Sequence, residues 1–370
     1  MQVQELHINT ISSLQDEAIA LLSKLIETPS FSREENKTAD IITEFFVKKG
    51  LPVQRHLNNV WVKNKYFDKA RPTLLLNSHH DTVKPNKGYT LNPFEATQKE
   101  GKLFGLGSND AGGALVSLMA VFLHFYNEEN LNYNLIFAAS AEEEISGANG
   151  IEALLPHLGK IEFGIVGEPT LMNLAVAEKG LLVLDCINYG EAGHAARNEG
   201  DNALYHSLKD IEWIKNHRFG KVSDLLGPVK MSVTSIETEN KAHNVVPAQC
   251  KFIVDIRVNE LYTFEEIQNE IKQNVSCEIK PRSLRMKHSS IPLNHPLIKS
   301  GLELGRTTYG SPTTSDKALM PFPTLKMGPG DSARSHTADE FIYINEIKEG
   351  IELYIKLLEH VLSSVVETSN

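Results

Sequence analysis

Three short apolar runs in this chain break abruptly into acids and imidazoles, and that pattern limits the fold more than any other feature. Leu74-Leu75-Leu76-Asn77-Ser78 runs into His79-His80-Asp81-Thr82, Leu135 to Ala139 ends in Glu142-Glu143-Glu144, and Phe163-Gly164-Ile165-Val166 ends in Gly167-Glu168-Pro169-Thr170. Apolar runs of this length bounded by polar residues read as strands buried on both faces of a parallel sheet. In open α/β sheets the crevice beyond the carboxyl ends of the strands is where ligands bind. A fourth segment, Gly105-Leu106-Gly107-Ser108-Asn109-Asp110-Ala111-Gly112-Gly113, leads into the helical pattern of Ala114 to Tyr126 and supplies one more carboxylate. A glycine-rich loop opening a helix can cradle a phosphate, but this one lacks the P-loop lysine and the dinucleotide spacing. Glycine also lets backbone crowd a site while Asp110 points inward. Each segment alone has a plain reading as a satisfied histidine pair, a tight turn or a solvated acidic turn. Four such accidents are harder to accept than one shared site.

Length and charge narrow the class. At 370 residues the chain is longer than one ordinary domain, so two are expected. A formal net charge of -10 argues against nucleic acid as a partner. No apolar stretch approaches a membrane span, and Met1 to Thr10 lacks the basic start and apolar core of a signal peptide. Cys186, Cys250 and Cys277 are far apart and form no paired-cysteine motif. They suit reduced structural thiols in a cytoplasmic protein.

The remaining pattern predicts how the domains divide. Ser13 to Thr28 has helical spacing, and Ser32 with Glu35 reads as a capping box opening a helix that ends at Gly50. Val53–His56 and Val60–Val62 look like a hairpin. From about Gly180 the texture changes: strand, helix, two strands, helix and strand follow as far as Met286, the order of a ferredoxin-like split unit. After about Ser290 the α/β texture returns, with a strand over Pro323–Met327, the loop Gly328 to Thr337 and a long amphipathic C-terminal helix. The expectation is an α/β catalytic domain, a mostly parallel twisted sheet covered by helices. It is built from residues 1–178 and 290–370, with an inserted ferredoxin-like α+β lid at 179–289.

The candidate inventory is His79, Asp110, Glu144, Glu168 and His336, with Asp81 and Glu143 beside them. Two residues on from His79 along an extended chain, Asp81 shares its face and can bond its second ring nitrogen, fixing the tautomer of a metal-bound histidine. Imidazole and carboxylate without thiolate suit catalytic Zn2+, with Co2+ or Mn2+ as substitutes. Two imidazoles and three carboxylates are too many for one tetrahedral ion. With Asp110 bridging, they divide between two ions of a hydrolytic pair.

With those residues in view, the chain resembles the co-catalytic zinc amidohydrolases that include acetylornithine deacetylase, succinyl-diaminopimelate desuccinylase, aminoacylase and carboxypeptidase G. The resemblance runs nearly end to end. It rests on His79-His80-Asp81-Thr82-Val83, Gly105 to Asp110, Glu142-Glu143-Glu144, Gly167-Glu168-Pro169-Thr170, Gly193-His194-Ala195 and Ser335-His336-Thr337. It implies that His79 and Glu168 hold one metal and Glu144 and His336 the other, with Asp110 between. It also implies that Glu143 is the general base acting on the metal-bridging water, and that a cis peptide follows Asp110. His194 and Asn244 match lid residues that, in similar enzymes, reach the partner subunit's site and hold the oxyanion, which implies a homodimer joined through the lid. Arg257 is a weaker match to a substrate-carboxylate contact. Ser315 and Asp316 either contact substrate or cap the next helix. The implied substrate is a small N-acyl amino acid, N-acetylornithine or N-acetylcitrulline in arginine biosynthesis ahead of an N-succinyl amino acid. Within the same fold the alternatives are a succinyl-diaminopimelate desuccinylase and a zinc dipeptidase or aminopeptidase. A non-catalytic binder should have lost a ligand or the base, and none is lost here.

Two departures stand out. Many similar enzymes carry a lysine two places after the bridging aspartate, where this chain has Gly112. The acidic doublet is here a triplet, so spacing alone leaves open a slip that would make Glu142 the base and Glu143 the ligand. Of the other histidines, His80 faces away from its neighbours, and His7, His56 and the rest read as surface or core residues.

Overall fold

The computed structural model describes residues 10–197 and 199–363, so His7 and nearly all of the N-terminal stretch tested for a signal lie outside the described residues. They divide into two compact units. The first holds the chain up to Val176, Ser290–Tyr309 and everything from Ser315, and the second holds Ala177–Ser289 and Gly310–Thr314. The short Gly310–Thr314 segment thus groups with the second unit, although its sequence neighbours belong to the first.

In the first unit four parallel strands form the centre of a mixed sheet, in the order Asn134–Ser140, Thr73–His79, Phe163–Gly167 and Thr324–Met327. Antiparallel strands extend it, Gln54–His56 and Asn59–Lys63 on one side and Leu174–Glu178 on the other. Every residue of the Thr73–His79 and Asn134–Ser140 strands is buried, as expected of strands covered on both faces. Helices Ile11–Ile26, Gly113–Phe125 and Ile344–Ser363 pack their apolar faces on the sheet. At about 1.5–3 kcal/mol for each fully buried leucine, Leu74, Leu75 and Leu76 alone anchor their strand firmly.

One local expectation fails. The helix begins at Asn36 with Glu35 as N-cap and no side-chain cap bond. Ser32 instead donates to Asp81 Oδ2 at 2.6 Å, and Glu35, fully buried, accepts from the Glu142 and Arg33 amides at 3.2 and 2.6 Å. Both side chains leave the cap because buried groups elsewhere need them more than an exposed helix end does. A small sheet has no counterpart in the sequence reading: Thr97–Lys99 and Lys102–Phe104 form a hairpin, and Phe341–Tyr343 pairs with its second strand.

The second unit is a four-stranded antiparallel sheet in the order Lys230–Thr238, Gln249–Val258, Gly180–Tyr189, Glu278–Pro281. With helices Ala203–Asn216 and Phe264–Lys272 it has the β-α-β-β-α-β order and strand arrangement of a ferredoxin-like fold. Gly180–Tyr189 alternates buried and half-buried residues along its length, which presents one face to a core of its own. Cys186, Cys250 and Cys277 are free and buried here. No helix among the described residues is long and apolar enough to cross a membrane.

Candidate metal centre

All four central strands of the first unit point the same way, so their carboxyl ends share one edge. His79 closes its strand opposite Ser140, and Gly167 lies opposite Met327 in the next pair. His79 is buried, and its Nδ1 lies 3.0 Å from the Asp81 main-chain oxygen and 3.4 Å from Asp81 Oδ1. A carbonyl can only accept, so Nδ1 carries the proton and Nε2 presents its lone pair. That Nε2 is buried with no hydrogen-bond partner. It faces Asp110 Oδ1 at 3.5 Å, Glu168 Oε1 at 3.8 Å and Glu143 Oε2 at 3.9 Å. Asp110 turns its other oxygen, Oδ2, to His336 Nε2 at 3.5 Å, and Glu144 Oε2 lies 3.0 Å from the same nitrogen. Two groups of ligand atoms fall within one ion's reach, His79 with Asp110 and Glu144, and His79 with Glu143 and Glu168.

Adjacent residues on a strand face opposite ways, so Glu143 and Glu144 can share a site only if the chain turns. It does: Glu142 adopts a left-handed conformation (φ 53°) and Glu143–Ile145 form a single 3-10 turn. Asp81 holds that turn, its Oδ1 accepting from the Glu143 amide at 3.0 Å and its Oδ2 from the Glu144 amide at 3.2 Å. Glu142 points elsewhere and accepts from the Asn149 side chain at 2.9 Å. His80 also turns away, to Asn58 O and Thr38 Oγ1, both at 2.9 Å. The Asp110–Ala111 peptide is cis. A Cβ on Gly112 would sit 2.4 Å from Gly107 O, so the loop here has no room for the lysine of similar chains.

Supporting residues surround these groups, among them Glu340, which sequence reasoning did not flag. Buried Glu340 accepts from the Gly107, Asn109 and Asp110 amides. Asn109 bridges to the backbone of Asp331, receiving its amide at 3.1 Å and donating to its carbonyl at 3.0 Å. Asp316 accepts from Ser140 Oγ at 2.6 Å and Asn77 Nδ2 at 3.0 Å, beneath the strand ends, while buried Ser315 caps the short turn that follows. A short-range cap is what the spacing of Ser315 allows. Nothing in the sequence marks contacts spanning more than two hundred residues, as those of Glu340 do.

Charge tells the same story. Asp81, Asp110, Glu143, Glu144 and Glu168 crowd around the buried imidazole of His79 and the exposed one of His336. Burial drives the Glu143 carboxyl well above the usual carboxylate range and Glu168 up to about 8. The bond to Glu144 pushes His336 up to about 9. Acids that hold protons beside bases that gain them mark a site short of positive charge. Two divalent cations would bring it close to neutrality, and the all-nitrogen-and-oxygen donor set suits zinc, cobalt or manganese. The orphaned His79 Nε2 and the two-faced Asp110 fit such a pair.

In the second unit His194 and Asn244 come together. His194 lies opposite Val245 in a two-residue ladder, and Ala195 N donates to Asn244 O at 3.1 Å. His194 Nδ1 accepts from Ala196 N at 3.1 Å, which leaves Nε2–H as a donor on an exposed side chain. Arg257 is engaged along its own strand, bonding Asp255 through Nε at 2.8 Å and Nη2 at 3.0 Å.

A sequence profile of peptidase family M20/M25/M40 matches residues 75–360. The chain is 27% identical to a succinyl-diaminopimelate desuccinylase of Orientia tsutsugamushi, over 92% of this chain and 95% of that one. Among solved structures it is similar to an M20 family metallo-carboxypeptidase from Sulfolobus solfataricus, with a TM-score of 0.76 at 18% identity over 94% of this chain and all (100%) of the other. A dinuclear metal-binding peptidase of the M20 family from Bacillus subtilis gives a TM-score of 0.69 at 14% identity, covering 96% of this chain and 100% of that one.

Proposed function

This chain belongs to peptidase family M20/M25/M40 and is a metal-dependent hydrolase of amide bonds, and from that premise we propose that it removes the acyl group from an N-acyl amino acid at a pair of zinc ions. The observation that carries the reading is Asp110, whose two oxygens address His79 and His336 at 3.5 Å each. His79 with Glu168 and His336 with Glu144 would hold one ion each, with Asp110 shared. When bound, the ions supply the Lewis acid that polarises the scissile carbonyl and acidifies water.

The protein's own groups do the rest. Glu143 is the general base. It stands partly buried beside His79, and two cations nearby would restore its carboxylate form against desolvation. It takes the proton of the attacking water and hands it to the departing amine nitrogen. Asp81 keeps His79 in the Nδ1–H tautomer and holds the Glu143–Glu144 turn. His194, with Nε2–H available, donates to the oxyanion, a role worth about 10²–10³ in rate. Asn244 beside it and the remaining capacity of Arg257 serve the substrate. Ser315, buried and capping, is better read as structural.

The relatives' names favour an N-succinyl amino acid over N-acetylornithine, the substrate that the family resemblance put first. A role in arginine biosynthesis goes with the latter and stands or falls with it. A panel of N-succinyl-diaminopimelate, N-acetylornithine, N-acetylcitrulline, dipeptides and tripeptides on zinc-loaded enzyme tests this. The expected result is a higher kcat/KM on the succinylated compound than on any other. A higher value on a peptide would overturn the deacylase reading, and one on N-acetylornithine only the choice of acyl group.

The His194 role in trans implies a homodimer through the second unit. Mixing inactive His194→Ala and Glu143→Gln protomers should restore activity, since each supplies what the other lacks. No recovery in a mixed dimer would end the in-trans reading. The three free, buried thiols support a cytoplasmic setting.

A further inference from the structure

We propose that Glu340 positions Asp110 so that its carboxylate can span both metals, an inference that rests on the bridging role proposed for Asp110. Glu340 is 2% exposed, and its carboxylate is wholly occupied by one loop. Oε1 accepts from the Asn109 amide at 2.8 Å and the Asp110 amide at 2.9 Å, and Oε2 from the Gly107 amide at 3.1 Å. Its main-chain oxygen also accepts from Gly105 N at 2.9 Å. The loop needs such a partner, because Gly107 is left-handed (φ 76°) and Asp110 is non-helical (φ -116°, ψ 98°). Those amides therefore meet neither helix nor strand acceptors, and buried unpaired amides are costly.

The consequence reaches the chemistry. Aspartate side chains readily turn back onto nearby backbone amides. By occupying the amides of Gly107, Asn109 and Asp110 itself, Glu340 leaves the Asp110 carboxylate free to face both imidazoles. Glu340 also lies four residues after His336 and immediately before the Phe341–Tyr343 strand, which pairs with Lys102–Phe104 just ahead of the loop. One residue thus ties the segment carrying one metal ligand to the loop carrying the bridge.

The test is Glu340→Gln, with Glu340→Asp as a second variant, measured by Co2+ titration, the visible absorption of the Co2+-substituted enzyme, and kinetics. A carboxamide has one acceptor oxygen, so at least one amide faces an NH2 group. The expected outcome is Co2+ affinity weaker by about 10–100-fold per folded molecule, an altered cobalt spectrum, and a fall in kcat with KM within about threefold. Wild-type affinity and spectrum in a folded variant would overturn the proposal and leave Glu340 a plain staple. Asp110→Asn serves as control: if it too keeps both ions, the bridging reading fails, whereas if it alone loses them only the Glu340 inference fails. Hydrogen exchange on wild-type protein keeps the proposal open to refutation even if neither variant folds. The Gly107, Asn109 and Asp110 amides should be protected already in metal-free enzyme, and protection that arises only on adding metal would overturn the inference.

Discussion

Asp81→Asn separates two accounts of the same carboxylate. The spacing of His79 and Asp81 suggests that Asp81 acts by orienting the imidazole. In the structure the His79 Nδ1 proton is taken at 3.0 Å by the Asp81 main-chain oxygen, which the substitution leaves in place, and the carboxylate stands farther off at 3.4 Å. The carboxylate's shorter bonds go to Ser32 Oγ (2.6 Å), the Glu143 amide (3.0 Å) and the Glu144 amide (3.2 Å). Each oxygen takes one amide. Asparagine has one acceptor, so whichever way it turns, one of the two peptide N–H groups meets an NH2. An unpaired buried donor costs about 1–3 kcal/mol, which for a unit of this size lowers Tm by roughly 2–12 °C. The Glu143–Glu144 turn loosens, and kcat/KM should fall by about 10–100-fold. The His79 tautomer, held by the carbonyl, should persist in the imidazole nitrogen NMR shifts. Differential scanning calorimetry, steady-state kinetics and those spectra together decide the case. A switched His79 tautomer, or unchanged kcat/KM and Tm, would refute the reasoning.

Three further outcomes are expected. Glu143→Gln should lower kcat by about 10²–10⁴ with both metals retained, whereas Glu142→Gln, whose side chain is tied to Asn149, should change kcat little. The reverse pattern in a kinetic comparison would mean that the triplet is read one residue out of step. His336→Ala removes the exposed imidazole on one side of Asp110, and on the proposed reading elemental analysis should find one tightly held zinc per chain instead of two. Chelation should abolish turnover, lower Tm and allow recovery with Zn2+ or Co2+. Activity surviving exhaustive dialysis against chelator would contradict the metal centre.

How legible all this was in the sequence depends on distance along the chain. Strand ends were readable, because continuous apolar runs such as Leu74–Leu76 have no other stable home and the residue that follows must emerge at the sheet's edge. The ferredoxin-like order was readable from the period-two burial of Gly180–Tyr189 and the helical spacing of Phe264–Lys272. The Thr97–Lys99, Lys102–Phe104 and Phe341–Tyr343 strands were not, since three residues each are too few to show alternation. Ser32 and Glu35 met every local criterion for a capping box and went to Asp81 and Glu142 instead. A local pattern states what a side chain can do, and a buried tertiary partner decides what it does.

The hidden contacts share a cause. His336 (φ 60°), Glu142 (φ 53°), Ser146 (φ 50°) and the Asp110 loop all depart from helix and strand geometry, and these departures bring Asp110, Glu143, Glu144 and His336 together. Departing from regular structure strands amide donors in a buried place, where water cannot serve them. In this protein three carboxylates serve two of these turns: Asp81 takes the amides of Glu143 and Glu144, Glu35 that of Glu142 in the same turn, and Glu340 those of Gly107, Asn109 and Asp110. A hydroxyl could accept the same bonds without a charge. A carboxylate adds negative potential, which is costly beside Asp110 and Glu168 in the bare protein and favourable once divalent cations arrive. With the proposed metal pair, the acids that hold the backbone would couple folding of these turns to metal binding. Replacing Asp81 or Glu340 by its amide should lower the Tm of the loaded enzyme by more than that of the metal-free one, and an equal loss in both forms would show that these acids act on the backbone alone.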